Sequence, residues 1–348
     1  MRCRVTALCV ARSANPGGDT GIFYGVFMKS VKKICQRNLP LIFAAVLVIL
    51  AGCASHPQIS EDLEAYLYPA ESYLPENFEW QEVRPGISRF DFENPDFPVV
   101  YHAVRINLAT EGLDIVCFPD KKFAQKKSGI DENSADDLRV PQPFIYRGKK
   151  TRAFALQNEC VVAMNATPFG GKNGKWDFAA KIGATRQIVG VHIADKFQIS
   201  APVRNYAALV FRRAQENQGD FIAEVVDFQS DDFFADCDYA FGGFFTVLRD
   251  GKVQDFKVRT HDSRSGAGVS ADGRILYLLV VEGEFPKKSE GLSYPQCGEI
   301  FKAMGCANAL EFDGGSSSQL YINGKNAMNY STIVVQGNSF GFIVCESK

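Results

Sequence analysis

Short apolar segments separated by polar turns recur along most of the chain, a pattern typical of β-strands. Two pairs of such segments are joined by Asp-Gly, a strong signal for a tight hairpin turn. We therefore predict hairpins over 244–253, around Asp250-Gly251, and over 266–281, around Asp272-Gly273. Single strands are predicted at 99–108, 113–118, 160–164, 188–193 and 206–211.

One helix is clearly indicated. Ser293 and Gln296 have the spacing of a capping box, in which each residue satisfies an amide at the helix start. Apolar residues then recur at helical spacing, and Gly305 marks the end. The next apolar run, 306–312, predicts a strand that ends at Asp313. The apolar stripe of the helix consists of Cys297, Ile300, Phe301 and Met304.

These elements predict an α+β fold with an extensive mixed or antiparallel sheet and a few helices, in a single large domain at 99–348. The charged segment 121–137 interrupts the pattern and is expected to be a loop. Residues 53–98, rich in Pro, Glu, Ser and Tyr, are interpreted as a tether that leads into the domain.

The start of the chain resembles a bacterial lipoprotein signal. Four basic residues within 29–37 precede the apolar run 39–50, which ends in Leu50-Ala51-Gly52-Cys53. The run is too short to span a bilayer. We predict a signal peptide at 28–52 and lipid attachment at Cys53, with residues 1–27 as a probable non-native extension. The protein would then be anchored to a membrane in the cell envelope, on the outer membrane or the cell surface.

Charge and cysteine content narrow the class of protein. Without residues 1–52, the chain has 31 Lys and Arg residues against 39 Asp and Glu. This acidic balance argues against a nucleic-acid partner. The six cysteines after Cys53 allow up to three disulfides in an exported protein, but Cys117, Cys160 and Cys345 lie in apolar runs that also suit free thiols. Neither a C-x-x-C pair nor a histidine cluster indicates zinc.

The sequence that follows the last predicted strand is the richest in candidate chemistry. Asp313 stands where the strand ends, followed by Gly314, Gly315, Ser316 and Ser317. The glycines allow a ligand to approach the backbone, and the hydroxyls offer hydrogen bonds. A tight turn held by the aspartate is the alternative interpretation.

Six segments in this order resemble the phosphodiester glycosidase family, over about 99–346. Three positions depart from the family pattern: Ser316 stands for a third glycine, Gln296 for a common Glu, and Asp262-Ser263 for His-Pro. The matching segments are AMNATPF (163–169), FGG (241–243) with LRDGKV (248–253), RSGAGV (264–269) with DGR (272–274), VVEG (280–283), GLS (291–293) and DGGSS (313–317).

The resemblance implies a site for a glycan or sugar phosphate. Arg264 would bind phosphate through its forked guanidinium, and Asp313 would be the base or nucleophile, or hold a metal or a sugar hydroxyl. Glu282 is a further catalytic candidate, with a solvated acid as its alternative. The substrate-binding candidates are Asn165, Gly314, Gly315, Ser316 and Ser317. No cofactor is certain, and a divalent metal is compatible with these groups.

Hydrolysis of a glycosidic bond is therefore expected, in a sugar-1-phosphodiester or related cell-envelope glycan. Two other functions stay open. One is a glycan-binding or polysaccharide-assembly module without catalysis, which the Gln at 296 favours. The other is a metal-dependent phosphodiesterase that cleaves the P–O bond.

Overall fold

The computed structural model describes residues 68–131, 139–171, 184–214, 220–257 and 259–345. These residues belong to one compact unit, which begins at Tyr68. The extension at 1–27, the signal at 28–52 and Cys53 lie outside the described residues. Among the helices of the described part, none has both the length and the apolar character needed to cross a bilayer.

Strands dominate the described part of the chain. In chain order they are β1 (Gln81–Arg84), β2 (Ile87–Glu93), β3 (Val100–Asn107), β4 (Leu113–Phe118), β5 (Tyr146–Arg147), β6 (Val162–Asn165), β7 (Phe169–Gly170), β8 (Thr185–Ile188), β9 (His192–Ala194), β10 (Phe197–Ser200), β11 (Ala208–Arg213), β12 (Phe221–Val226), β13 (Tyr239–Gly242), β14 (Thr246–Arg249), β15 (Lys252–Val253), β16 (Arg264–Val269), β17 (Ile275–Val281), β18 (Asn308–Glu311), β19 (Leu320–Ile322), β20 (Lys325–Asn326) and β21 (Ser339–Val344). The helices are α1 (Lys121–Ser128), α2 (Thr151–Gln157), α3 (Asp231–Phe234) and α4 (Tyr294–Met304), with single 3₁₀ turns at Ala70–Ser72 and Gly315–Ser317.

The strands form four sheets, and every pairing between these strands is antiparallel. The largest has the order β1-β2-β3-β17-β16-β18-β14-β15. Two five-stranded sheets have the orders β10-β9-β13-β11-β12 and β20-β19-β6-β21-β4, and a small one has the order β5-β8-β7. The expected antiparallel sheet with few helices is confirmed, and the fold is mainly β.

Both predicted hairpins form in the large sheet. β14 and β15 are joined by Asp250 and Gly251, which have positive φ angles of 48° and 70°. Two consecutive positive φ angles match the twist of the flanking strands, which explains the Asp-Gly sequence. β16 pairs along its whole length with residues 276–281 of β17, across the second turn, where Gly273 has a φ of 69°.

The predicted domain boundary at residue 99 falls between β2 and β3, inside the compact unit. β2 pairs with β3 from Ile87 opposite Ile106 to Glu93 opposite Val100. The segment before residue 99 therefore supplies the edge strand of the large sheet, β1, and its neighbour β2.

Helix α4 packs on the large sheet as its apolar stripe predicts. Ser293 N donates to Gln296 Oε1 at 2.8 Å, which confirms the capping pair, and Gly305 ends the helix with a φ of 100°. Phe301 is fully buried against β16. A Cβ on Gly266 of that strand would lie 3.1 Å from the Phe301 ring and 2.7 Å from Leu310 O, so a glycine allows the helix this close approach. The strand after α4 also forms, as β18.

Two sequence expectations are corrected, and one open alternative is decided. The segment 121–137 is not a loop throughout, because Lys121–Ser128 is helical, with Asp120 Oδ1 accepting from Phe123 N at 2.7 Å; residues 132–137 lie outside the described part. The apolar run 188–193 belongs to two strands, separated around Gly190, whose φ is 122°. The six cysteines after Cys53 are free thiols, and five of them are buried.

Candidate functional site

The ends of β16 and β18 bring two separated motifs together. Gly266 pairs with Glu311, and Phe312 N donates to Ser265 O at 2.7 Å, which continues the same register. Arg264 precedes Ser265 at the start of β16, and Asp313 follows Phe312 just beyond the end of β18. Both reach a cavity of about 270 Å³, lined by Phe169, Arg186, Phe244, Asp262, Arg264, Tyr294, Asp313, Gly314, Gly315, Ser316, Ser317 and Val334.

The loop after β18 is held closely against the start of β16. Gly315 N donates to Ser263 O at 2.8 Å, and Gly315 has a left-handed φ of 57°. A Cβ on Gly314 would lie 2.8 Å from Ser263 O. Both glycines are therefore explained by backbone geometry, and Ser316 occupies the exposed tip of the loop.

Asn165, at the end of β6, lies behind this loop. It is fully buried, and its Nδ2 donates to Asp313 O at 2.7 Å. Its Oδ1 accepts from Ser265 Oγ at 3.1 Å and from Gln319 N at 2.9 Å. The side chain thus joins three chain segments and fixes the backbone that carries Asp313. It is not among the described residues that line the cavity.

Arg264 is 6% exposed and tied down on two sides. Its Nε donates to Leu292 O at 2.9 Å, and Nη2 donates to Thr260 O at 2.8 Å. The guanidinium carbon lies 4.0 Å from the centroid of the Tyr294 ring, a cation–π contact. Within the described part of the chain, Nη1 donates no hydrogen bond. This nitrogen is therefore available to an anionic ligand in the cavity.

Asp313 occupies an environment that disfavours its charged form. The residue is partly exposed through the cavity but otherwise enclosed by protein. This burial raises the pKa of the Asp313 carboxyl to about 7, against a smaller opposing effect of a hydrogen bond from Ser317. Among the described residues it forms no salt bridge. A carboxyl that titrates near neutrality in a cavity is a candidate for acid–base or nucleophilic chemistry.

This arrangement can be compared with known proteins. The sequence profile of the phosphodiester glycosidase family matches residues 158–340, more than half of the chain. The chain belongs to this family. No curated protein sequence gives a significant match.

Two solved structures share the fold of this family member. A hypothetical protein from Synechocystis aligns with a TM-score of 0.53 and 14% identity, over 78% of this chain and 64% of that protein. The chain thus spans less than two thirds of that relative. The catalytic domain of zebrafish N-acetylglucosamine-1-phosphodiester alpha-N-acetylglucosaminidase, auto-inhibited by its pro-peptide, aligns with a TM-score of 0.51 and 16% identity, over 78% of this chain and 85% of that domain.

Glu282 does not belong to the described residues that line the cavity. It is 2% exposed and follows β17, where its Oε1 lies 2.9 Å from His102 Nε2 and accepts from Asn329 N at 2.6 Å. The alternative of a solvated acid at a hairpin end is therefore wrong for this residue.

Gln296, where the family commonly has Glu, caps helix α4. Its Oε1 accepts from both Ser293 N and Ser293 Oγ at 2.8 Å. No group among the described residues lies in hydrogen-bonding geometry with its Nε2. Gln296 is buried and does not line the cavity in the described part of the chain. The departure from the family pattern thus changes a helix cap.

Several wall residues were not identified as site residues from the sequence. Asp262 lies two positions before Arg264, and both carboxylate oxygens would be 3.9 Å from a Cβ on Gly315. The one sequence signal for Asp262 is its position close to Arg264. Arg186 and Phe169 come from β8 and β7, with the guanidinium 5.0 Å from the ring centroid. Phe169 ends the family-like segment 163–169, whereas nothing in the local sequence distinguishes Arg186.

A second perturbed carboxyl lies next to the cavity. Glu311 is 1% exposed, and no group among the described residues lies in hydrogen-bonding geometry with either of its carboxylate oxygens. Burial raises its pKa to about 8, while the charge of Arg264 and a contact with Cys297 act in the opposite direction. Within the described part, no group of three or more His, Cys, Asp or Glu side chains is arranged to hold a metal ion.

Proposed function

We propose that this protein is an enzyme that hydrolyses the glycosidic bond of a sugar-1-phosphodiester or a related cell-envelope glycan. The observation that carries the proposal is the joint placement of Arg264 and Asp313 in one cavity. Arg264 offers an unpaired nitrogen to the phosphate, and Asp313 offers a carboxyl with a pKa of about 7. Membership of the family agrees with this chemistry.

In the proposed reaction, the bond between the anomeric carbon and the phosphate oxygen breaks, and a water oxygen bonds to that carbon. Arg264 holds the phosphate as negative charge develops on the leaving oxygen. Asp313 acts in its ionised form at the anomeric carbon, as a base that takes the proton of the water or as a nucleophile. Asp262 supplies a second carboxylate to the same cavity.

A phosphate monoester is already a good leaving group, so this reaction does not depend on a strong general acid. The amides of Gly314 and Ser316 donate no hydrogen bonds within the described part of the chain, and both residues line the cavity. They are suitable donors to substrate oxygens. Phe244 and Tyr294 add aromatic side chains to the cavity wall that a sugar can contact.

The non-catalytic binding module receives less support from the site. Its main argument was Gln296, and that side chain caps α4 outside the cavity wall. The groups that the reaction requires, Asp313 and Arg264, are both present at the cavity.

The test is hydrolysis of sugar-1-phosphodiesters by the purified mature protein in ¹⁸O-labelled water. Label in the sugar indicates cleavage of the C–O bond and supports the proposal. Label in the phosphate, with activity abolished by a chelator, would instead support the metal-dependent phosphodiesterase. Binding of glycans without any cleavage would support the binding module.

The proposed substrate fits a protein anchored in the cell envelope through lipid on Cys53. Mass spectrometry of protein extracted from membranes is expected to find acylated Cys53 as the first residue. A mature chain that begins at another residue would contradict this location.

A further inference from the structure

Glu282 belongs to a chain of three ionisable side chains, in which Glu282 and His102 are buried and the Asp91 side chain is 36% exposed. His102, on β3, lies opposite Asp91 on β2 and opposite Val280 on β17. His102 Nδ1 is 2.6 Å from Asp91 Oδ1, and Nε2 is 2.9 Å from Glu282 Oε1. A neutral imidazole has only one N–H, so two carboxylates on its two nitrogens favour the protonated ring.

The electrostatic environment of His102 agrees with this geometry. Burial disfavours the charged ring, but hydrogen bonds and charges from Asp91 and Glu282 outweigh it and raise the pKa of His102. Asp91 also contacts Arg89, with Arg89 Nε at 2.8 Å from Asp91 Oδ2. The charged groups facing this ring from the adjacent strands are thus two carboxylates, one of which is shared with an arginine.

Glu282 also contacts a segment that borders the cavity. We call residues 329–334 the wall segment. Asn329 N donates to Glu282 Oε1 at 2.6 Å, and Tyr330 OH lies 3.1 Å from Ser263 Oγ. Thr332 Oγ1 donates to Ser316 O at 2.6 Å, and Val334 lines the cavity.

Other side chains also contact the wall segment: Asn326 Nδ2 donates to Tyr330 O, and the Tyr330 ring lies 5.0 Å from the Phe285 ring. Within the described part of the chain, the residues of the wall segment make no backbone–backbone hydrogen bonds. Its position therefore depends on contacts made by side chains. The Glu282 carboxylate is the contact at its start, and it is held in place by His102.

We propose that Glu282 and His102 are positioning residues that anchor the wall segment, and through it keep the Asp313–Ser317 loop and the cavity in shape. In this role Glu282 does not touch the substrate. Glu282, at the end of β17, holds Asn329 at the start of the wall segment. Thr332 of the same segment then holds the carbonyl of Ser316 at the tip of the loop.

The stabilising effect of His102 on the folded state also depends on pH. The raised pKa of His102 means that the charged ring stabilises the folded state below the unfolded value of 6.5. That stabilisation is lost as the pH rises through the folded pKa. The wall segment is then expected to loosen on the alkaline side.

The experiment compares Glu282→Gln, Glu282→Ala and His102→Gln with the wild type. Glu299→Gln is the matched control, because Glu299 lies on helix α4 and accepts a hydrogen bond from Tyr73, which follows the 3₁₀ turn at Ala70–Ser72. Amide hydrogen exchange gives protection factors for residues 329–334. We expect Glu282→Ala to lower them about tenfold or more, as loss of a hydrogen bond to a charged group predicts, with Glu282→Gln intermediate.

On a cleaved sugar phosphodiester, Glu282→Ala is expected to raise KM about tenfold or more with a smaller change in kcat, since Asp313 and Arg264 remain. His102→Gln should remove the alkaline loss of protection. Unchanged protection of the wall segment in both Glu282 variants would overturn the proposal, as would a loss of kcat with unchanged KM. The kinetic effect rests on the proposed function. If the wild type cleaves no phosphodiester, the exchange data still decide whether Glu282 is the anchor.

Discussion

Arg264 and Asp313 occupy neighbouring ends of β16 and β18 and reach the same cavity, yet no salt bridge joins their side chains. A direct pair would neutralise both groups. Instead, backbone carbonyls accept hydrogen bonds from the guanidinium, and burial raises the pKa of the Asp313 carboxyl to about 7. A substrate that carries an anion and an electrophilic carbon can therefore engage both residues at once.

Asp313→Asn removes the charge and keeps the size of the side chain. We expect kcat/KM for a sugar phosphodiester to fall about 10²- to 10⁴-fold, the usual cost of losing a positioned base. Steady-state kinetics and thermal melting of the same preparation give the comparison. Asp250→Asn is the control, because Asn tolerates the positive φ of this remote turn. An Asp313→Asn enzyme as active as the wild type would show that this carboxylate does no chemistry.

The pH profile tests the same assignment without a mutation. Because the folded pKa of Asp313 is about 7, its ionised fraction increases as the pH rises through neutrality. We expect kcat/KM to rise from pH 5 to 8 with an apparent pKa near 7. A rate that is already maximal at pH 5 would be inconsistent with this role for Asp313.

Arg264→Lys keeps the positive charge but loses the fork that reaches Leu292 O and Thr260 O and leaves Nη1 for a ligand. KM for phosphodiesters should increase about 10- to 100-fold, as for other hydrogen bonds between charged groups. Neutral glycosides should be affected less. Arg249→Lys is the control, because Arg249 pairs with Asp227 outside the described cavity wall. Equal losses on charged and neutral substrates would exclude a phosphate contact.

The sequence was most informative where local signals and the fold agree. Asp250-Gly251 and the Ser293–Gln296 cap identify their turn and helix start, because backbone geometry restricts the residue types at these positions. Helix α1 was missed because its many lysines hide a short apolar face that includes Ala124.

The candidate site was only partly accessible from sequence. Asp313 and Arg264 stand at strand ends, and the pairing of β16 with β18 brings them together. Arg186 and Val334 reach the cavity through tertiary packing, which a local pattern does not encode. The same reason applies to Glu282, whose partners His102 and Asn329 are distant in sequence.

Gln296→Glu restores the residue common in the family and tests the significance of the departure. The carboxylate can still accept from Ser293 N, and a negative charge is favourable at a helix start. We expect the free energy of unfolding to change by about 1 kcal/mol or less, as for other helix-cap changes. Turnover should stay within about threefold of wild type, since Gln296 does not line the described cavity wall. A large gain in kcat would instead indicate a missing acid or base.

Glu311→Gln tests the unpartnered carboxyl beside the cavity. The folded pKa of Glu311 is about 8, and the ordinary value is 4.5. Between these values the folded state keeps a proton that the unfolded state releases, so the wild type loses stability as the pH rises. The stability contributed by protonated Glu311 is fully present below pH 4.5, and above pH 8 this group causes no further loss of stability.

The glutamine introduced in place of Glu311 cannot ionise, so the variant should lack this part of the pH dependence. Chemical denaturation at several pH values is expected to show the variant gaining stability relative to wild type between pH 5 and 8, by about 3 kcal/mol. Asp313 contributes a slope of the same sign, between its ordinary value of 3.8 and about 7, and this slope should persist in the variant. Glu224→Gln, at an exposed ion pair with Arg212, is the control and should leave the wild-type slope intact. A constant difference between Glu311→Gln and wild type at every pH would mean that Glu311 is already ionised in the folded protein, and that Arg264 neutralises it.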